Sequence, residues 1–176
     1  MVNSHEEQVK QYLPEAAIKV LEDFEKLSAD EQLAALYFIY EQMGDSVTPA
    51  APNAAEPNLA PMLLGNFFEL SDEEQLQIMR DIVNRQDTEY SRAYGALKEN
   101  NQLLVWFLWA EEMGDRVVDL PRNYKATSKV NDIVDEIEDL DFEQQISILR
   151  EVAGNMGYTS VKPIPTQAET GKTSSL

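Results

Sequence analysis

Apolar residues recur along most of this chain at the three- and four-residue spacing of helices, and one such run is written twice. Leu33 to Asp45 reads LAALYFIYEQMGD, and Leu103 to Asp115 reads LLVWFLWAEEMGD. The gapless shift that lays Leu33 on Leu103 also lays Met43 on Met113 and Gly44 on Gly114. Each run is rich in rings and ends in acidic or amide residues, a Met and a Gly, which predicts a buried helix with a glycine stop. Neither keeps a polar face through its middle. In the first copy Leu33, Leu36, Tyr37 and Tyr40 lie along one side, and Ala34, Ala35, Phe38 and Ile39 along the other. A helix apolar all round has to be covered all round.

The flanking pattern is helical too. Pro14 suits a first helical turn, and Ala17, Val20, Leu21, Phe24 and Leu27 form one stripe. Ser28 with Glu31, Ser71 with Glu74, and Asp141 followed by Gln144 are helix-start signals in which a side chain caps the exposed amides. The last two are related by the same shift, so that Gln75 meets Gln145, Ile78 meets Ile148 and Arg80 meets Arg150. Between the copies, prolines at 49, 52, 57 and 61 make Val47 to Pro61 a loop. Pro61 to Leu70 predicts a short helix, Ile78, Met79, Ile82 and Val83 another, and Tyr90, Ala93, Tyr94 and Leu97 a third within Thr88 to Leu97. Val117 to Tyr124 reads as an irregular connection, and Ser128 opens a helix carrying Val130, Ile133, Val134 and Ile137. The β-branched alternation of strands is missing. The expectation is an all-α fold of eight or nine helices in two related bundles, with residues 1–13 an arm, 14–160 the domain and 161–176 a disordered tail.

Composition narrows the chemistry. There is no cysteine, hence no disulfide framework, thiolate metal site or cysteine nucleophile, and the single histidine, His5, stands near a terminus. The 14 basic residues face 32 acidic ones, a net charge of −18 that repels phosphate backbones and anionic headgroups. The N-terminal stretch MVNSHEEQVK lacks the apolar core of a secretory signal. The longest wholly apolar run, Leu103 to Ala110, is far shorter than the roughly 20 residues of a membrane span. A soluble, intracellular chain is expected.

Apparent motifs do not hold. Thr170-Gly171-Lys172-Thr173 resembles the end of a phosphate loop, but Thr166 stands where its first glycine belongs. Asp132, Asp135, Glu136, Glu138, Asp139 and Asp141 lack the mid-loop glycine and spacing of a calcium loop and read as a solvated face. A di-iron bundle needs Glu-x-x-His pairs that one histidine does not supply. No constellation isolates a catalytic group, and no enzyme is expected.

Two readings of the aromatic copies stay open on the residues themselves. Tyr37, Phe38, Tyr40, Trp106, Phe107 and Trp109 are either the centre of an ordinary core or, with Met43, Met79 and Met113 nearby, walls for a flat or rod-shaped apolar ligand.

A resemblance bears on that choice. LSADEQLAALYFIYEQMG, TPAAPNAA, EEQLQIMRDIVNRQDTEYSRAY, NNQLLVWFLWAEEMG, LPRNYK and EQQISILREVAGNMGY follow one another as in the N-terminal domain of the orange carotenoid protein. The likeness runs from about residue 14 to 160, and nothing after Tyr158 resembles that protein's second domain. The chain therefore resembles the stand-alone helical carotenoid proteins of cyanobacteria. The resemblance implies two interleaved four-helix bundles forming one domain, with a ligand tunnel between them holding a keto-carotenoid of the canthaxanthin or echinenone type. It assigns Tyr40 and Trp106 to the carotenoid's terminal ring. Leu33, Leu36, Tyr37, Met79, Leu103, Phe107 and Met113 would line the polyene, while Leu120, Pro121 and Tyr124 would close the far part of the tunnel.

Arg150 matches the arginine that bridges domains and helps dock on the phycobilisome in the two-domain family. With Glu151 beside it and a charge of −18, photoprotection by quenching singlet oxygen is preferred over quenching of phycobilisome excitation or carotenoid transport. A homologue of the missing C-terminal domain is an implied carotenoid donor, and a cytoplasmic place, peripheral to thylakoids, is implied with it. The reading from another class is a ligand-free helical adaptor with an acidic binding surface.

Overall fold

The caps explain where the helices begin. In the computed structural model, residues 15–47 and 60–159 are described, with side chains excepted at 44–47. Seven α-helices run through them: α1 (Glu15–Glu25), α2 (Ala29–Val47), α3 (Asp72–Val83), α4 (Glu89–Gly95), α5 (Glu99–Glu111), α6 (Ser128–Glu138) and α7 (Phe142–Gly154). A 3₁₀ turn at Asn66–Glu69 precedes α3. Ser71 and Asp141 form full capping boxes with Glu74 and Gln144. The Ser28–Glu31 pair does the same for α2, with bonds of 3.1 and 3.2 Å. Each box satisfies amides that the first turn of a helix leaves without partners.

The repeat also sets the polar anchors inside the fold. Gln75 Nε2 donates to the Phe67 carbonyl and Gln145 Nε2 to the Ile137 carbonyl, each at 3.1 Å and each eight residues back. Gln102 reaches the Tyr94 carbonyl at 3.0 Å over the same separation, and its counterpart Gln32 reaches Leu27 at 3.1 Å. A primary amide carries two donors. Placed in the first turns of a helix, it fastens the connection before that helix to the helix itself.

Packing makes α2 and α5 central. Helix α2 lies along α6 and also meets α3, α5 and α7, whereas α5 lies along α7 and against α2. Helix α1 covers α6 and α7, and α4 leans on α3. The amphipathic stripes behave as their spacing predicts: Val130, Ile133, Val134 and Ile137 of α6 are buried. Two polar links hold the start of α2 from either side. Arg80 of α3 makes a bidentate pair with Asp30, at 2.8 and 3.1 Å, and Thr127 donates to Glu31 at 3.0 Å.

Several expectations change. Pro61 to Leu70 does not form one helix: turns at 61–65 lead into the 3₁₀ segment. Amides there reach well back along the chain, Asn66 to Pro61 and Phe67 to Met62, and the path delivers Phe67 onto Trp109. The glycine stop holds at only one of its two positions. Gly114 has φ +88° and its N–H donates to the Val117 carbonyl at 2.9 Å, but α2 runs through Gly44 to Val47. Glycine permits the left-handed turn without requiring it. Covering also differs between the copies: α5 buries Gln102 to Phe107 and Trp109, while Leu33, Tyr37, Phe38 and Tyr40 of α2 are only half-buried. Ser128 does open its helix, as expected, with Thr127 as the cap. The arm at 1–13, the bulk of the Pro-rich loop and the tail at 161–176 lie outside the described residues.

Candidate functional site: an aromatic groove between the repeated helices

The part of α2 left uncovered faces a groove. Leu33, Leu36 and Tyr37 from α2 form one wall, and Trp106, Trp109, Ala110 and Met113, from α5 and its end, form the other. Leu76 and Met79 of α3 make the floor, and Val118 and Asp119 stand at its margin. About 470 Å³ of empty space lies between them, counting the open mouth. The first half of one repeated helix thus meets the last half of the other.

The rings are held by bonds that point away from the groove. Trp109 lies flat on Phe67, with centroids 4.1 Å apart and planes at 16°, and its indole N–H donates to the Leu63 carbonyl at 2.9 Å. The segment folded tightly after Pro61 therefore sets the orientation of Trp109. Trp106 stands edge-on to it, with centroids 5.3 Å apart, and donates to the Tyr94 hydroxyl at 2.9 Å. The Tyr37 hydroxyl donates to Glu41 at 3.1 Å. Burial first, and then the bond to Glu41, raises the Tyr37 phenol above its ordinary value of 10.0. All three aromatic donors of the groove are satisfied by the protein itself.

The margin is fixed from the floor. Gln75 is buried one turn before Met79; its Nε2 donates to the Arg116 carbonyl at 2.9 Å, and its Oε1 accepts from the Val118 N–H at 2.8 Å. Asp119 accepts from the Leu120 N–H at 2.8 Å. Among the described residues its carboxylate, an acceptor only, is the sole ionisable group on the walls apart from the Tyr37 phenol. Rings and aliphatic chains with their donors already engaged make contacts with an apolar ligand and offer it no side-chain hydrogen bond. Among the described residues no group of three or more acidic, His or Cys side chains could hold a metal, and no helix is long and apolar enough to cross a membrane.

Of the residues singled out from the sequence, Leu33, Leu36, Tyr37, Met79, Trp106 and Met113 come together on the groove. Leu103 and Phe107 are buried in the core. Tyr40 meets Phe107 edge-on at 5.6 Å and does not share the groove wall with Trp106. Tyr124 stacks on Phe38 at 6.3 Å, so Phe38 is the ring over which the connection 118–127 is laid. Leu120 is half-buried and Pro121 exposed in that connection. Sequence reasoning passed over Leu76, Ala110, Val118 and Asp119, and it named Trp109 among the rings without giving it a place on the ligand. Helical spacing alone would have found two of these, since Leu76 lies one turn before Met79 and Trp109 one turn after Trp106. Glu151, read as part of the surface around Arg150, is buried instead, and Arg150 is half-buried.

Comparisons with known proteins place the chain in a family. The family described as "Orange carotenoid protein, N-terminal" matches residues 10–159. An "Orange carotenoid-binding domain-containing protein" of Nostoc sp. strain PCC 7120 is 40% identical over 144 residues, covering 81% of this chain and 84% of the relative. The "Orange carotenoid-binding protein" of Synechocystis sp. is 35% identical over 140 residues, and there the chain spans 44% of the relative's length. Among solved structures, the Red Carotenoid Protein of Anabaena (Nostoc) sp. PCC 7120 binding canthaxanthin superposes with a TM-score of 0.71 at 36% identity, over 81% of this chain and 99% of that one. The Orange Carotenoid Protein of the same organism binding canthaxanthin gives 0.74 at 31%, over 89% and 52%. These relatives are named for binding a pigment and not for a reaction. The chain belongs to the family of the orange carotenoid protein N-terminal domain.

Proposed function

We propose that this protein binds a keto-carotenoid in the groove between α2 and α5 and acts in photoprotection, mainly by quenching singlet oxygen. The observation that carries the reading is the groove itself: two tryptophans, a tyrosine, aliphatic side chains and two methionines, with every indole and phenol proton engaged elsewhere. A polyene suits such walls because it needs contact area and polarisable neighbours more than hydrogen bonds. Relatives in the same family bind canthaxanthin, which makes a ketone-bearing polyene the pigment of choice. The pigment supplies the photochemistry when bound. Leu33, Leu36, Tyr37, Met79, Trp106 and Met113 would hold it, and a tunnel longer than the groove would pass the Tyr40–Phe107 pair toward Leu103, with Leu120, Pro121 and Tyr124 on the connection that crosses α2.

Quenching of singlet oxygen is favoured over quenching of phycobilisome excitation by charge. The net −18 and the exposed Asp132, Asp135, Glu138, Asp139 and Asp141 present an acidic face to any large partner. Expression in a carotenoid-producing host tests the first part: a coloured, pigment-loaded protein is expected, and a colourless one removes the proposal in favour of a ligand-free adaptor. The loaded protein then separates the roles. Suppression of a singlet-oxygen probe without loss of phycobilisome fluorescence is expected; strong fluorescence quenching reverses the preference. Release of pigment to, or uptake from, a homologue of the C-terminal domain would identify a carrier.

A further inference from the structure

We propose that Tyr94 is a positioning residue for the pigment site: its hydroxyl fixes the indole of Trp106 and ties that groove wall to the end of α7. Tyr94 does not itself line the groove. It is fully buried on α4, with its ring at 62° to that of Trp106 and 6.0 Å away. Its hydroxyl accepts from the Trp106 Nε1–H at 2.9 Å and donates to the Ala153 carbonyl at 2.6 Å. A phenol is suited to this relay because it accepts and donates through one atom, and burial raises its pKa far above the ordinary range, so the proton stays on.

The surroundings hold Tyr94 as firmly as it holds Trp106. Gly157 follows α7 with φ +84°, and a Cβ there would come within 2.5 Å of the Tyr94 ring. Its N–H is tied to the Ile82 carbonyl at 2.8 Å, and the next amide, of Tyr158, to the Ser91 carbonyl at 3.1 Å. The turn after α7 therefore packs against the phenol ring. Losing the hydroxyl would fall on one partner only. Ala153 O also accepts from the Met156 N–H at 3.2 Å, whereas among the described residues only Tyr94 accepts from the Trp106 N–H. With that bond intact, Trp106 presents its ring to the groove and no donor. Without it, a buried N–H is left without its acceptor, which favours a reoriented indole and so a changed groove wall.

This inference rests on the pigment reading, and the test separates the two. Tyr94→Phe keeps the ring and removes the hydroxyl. In pigment-loaded protein it is expected to shift the absorption maximum and to weaken retention by roughly 10-fold, the order produced by one unsatisfied buried donor. In a Trp106→Phe background the same substitution should produce no further spectral shift. An equal shift in both backgrounds shows that Tyr94 acts only as core and overturns the proposal. The pigment-free protein gives a second readout by NMR. The Trp106 indole proton should exchange slowly in the unsubstituted protein and at least about 10-fold faster in Tyr94→Phe, the energy of one lost bond expressed as a rate. An indole proton that exchanges freely in the unsubstituted protein also refutes it, even if Tyr94→Phe fails to fold. Failure of the protein to take up any carotenoid, with that proton still protected through Tyr94, sinks the pigment reading and not the hydrogen bond.

Discussion

Helices α2 and α5 descend from one pattern and end in different situations. Along α5 the large rings at 106 and 109 are driven inward and both indoles are bonded, one to α4 and one to the turn after Pro61. The equivalent positions of the first copy hold Leu36 and Ile39, smaller and without donors, and both are buried. Conversely the rings of α2, at 37, 38 and 40, are half-buried and touch Glu41, Tyr124 and Phe107. The groove uses the early residues of α2 and the late residues of α5. The seam related to it by the repeat would use Leu103, Trp106 and Phe107 with Leu36, Ile39, Tyr40 and Met43. There the Tyr40 and Phe107 rings meet and the aliphatic residues are buried. Among the described residues, exchange of bulk between equivalent positions leaves a groove at one seam and packed side chains at its counterpart. Repetition sets the backbone, and side-chain volume decides which seam stays open.

The comparison breaks most readily at positions 109 and 39. Trp109→Ala should cost about 4 kcal/mol in urea unfolding, because it removes the stack on Phe67 and opens a cavity. Ile39→Val, at the equivalent place, should cost about 1 kcal/mol. Comparable losses would mean that the two helices bear equal weight. The buried amides sharpen the contrast next. Gln75→Leu and Gln145→Leu should each lose roughly 2 to 3 kcal/mol through stranded carbonyls. Only Gln75→Leu should also loosen a bound pigment, since Gln75 alone anchors Val118 beside the groove. Equal pigment retention in the two variants would detach the groove margin from Gln75.

The glycines come third. Gly114→Ala forces a side chain into the left-handed region and should destabilise by roughly 1 to 2 kcal/mol. Gly44→Ala, inside α2, should carry the opposite sign, with a gain of about 0.5 to 1 kcal/mol from helix propensity. Smallest is an effect of pH. The Ser28 N–H and then the Thr127 hydroxyl hold the Glu31 carboxyl below its ordinary value of 4.5. A lowered folded-state pKa means that its contribution is present above 4.5 and fades as pH falls through the folded value. Glu31→Gln should therefore flatten the acid limb of the stability curve slightly. A parallel change at the start of α5 is not expected, since Lys98 there gives no side-chain cap.

Much of this was legible before any coordinates. Periodicity and capping residues located the helices, because a box such as Ser71–Glu74 is a local bonding pattern that needs no tertiary partner. The repeat was visible because it is a property of the string, and half of the predicted lining residues do share one groove. Tyr40 was not separable from Trp106 in this way. Both are large rings in matched segments, and which of them turns toward the groove depends on whether Phe107 or Met79 lies across from it. The places of Trp109, Ala110, Val118 and Asp119 were not legible for a related reason. Trp109 is aimed by the turn at 61–65 and Val118 by the hold of Gln75, contacts over 46 and 43 residues of chain.

The sequence by itself determined an all-helical chain, internally duplicated, without thiols and strongly acidic. Those follow from spacing, local caps and a count of charges. Tertiary structure decided that one seam of the repeat is open and its counterpart filled. It also decided that the donors of the open seam point away from it, and that Tyr94 stands behind Trp106. Such choices depend on volumes and directions that meet only when distant segments pack.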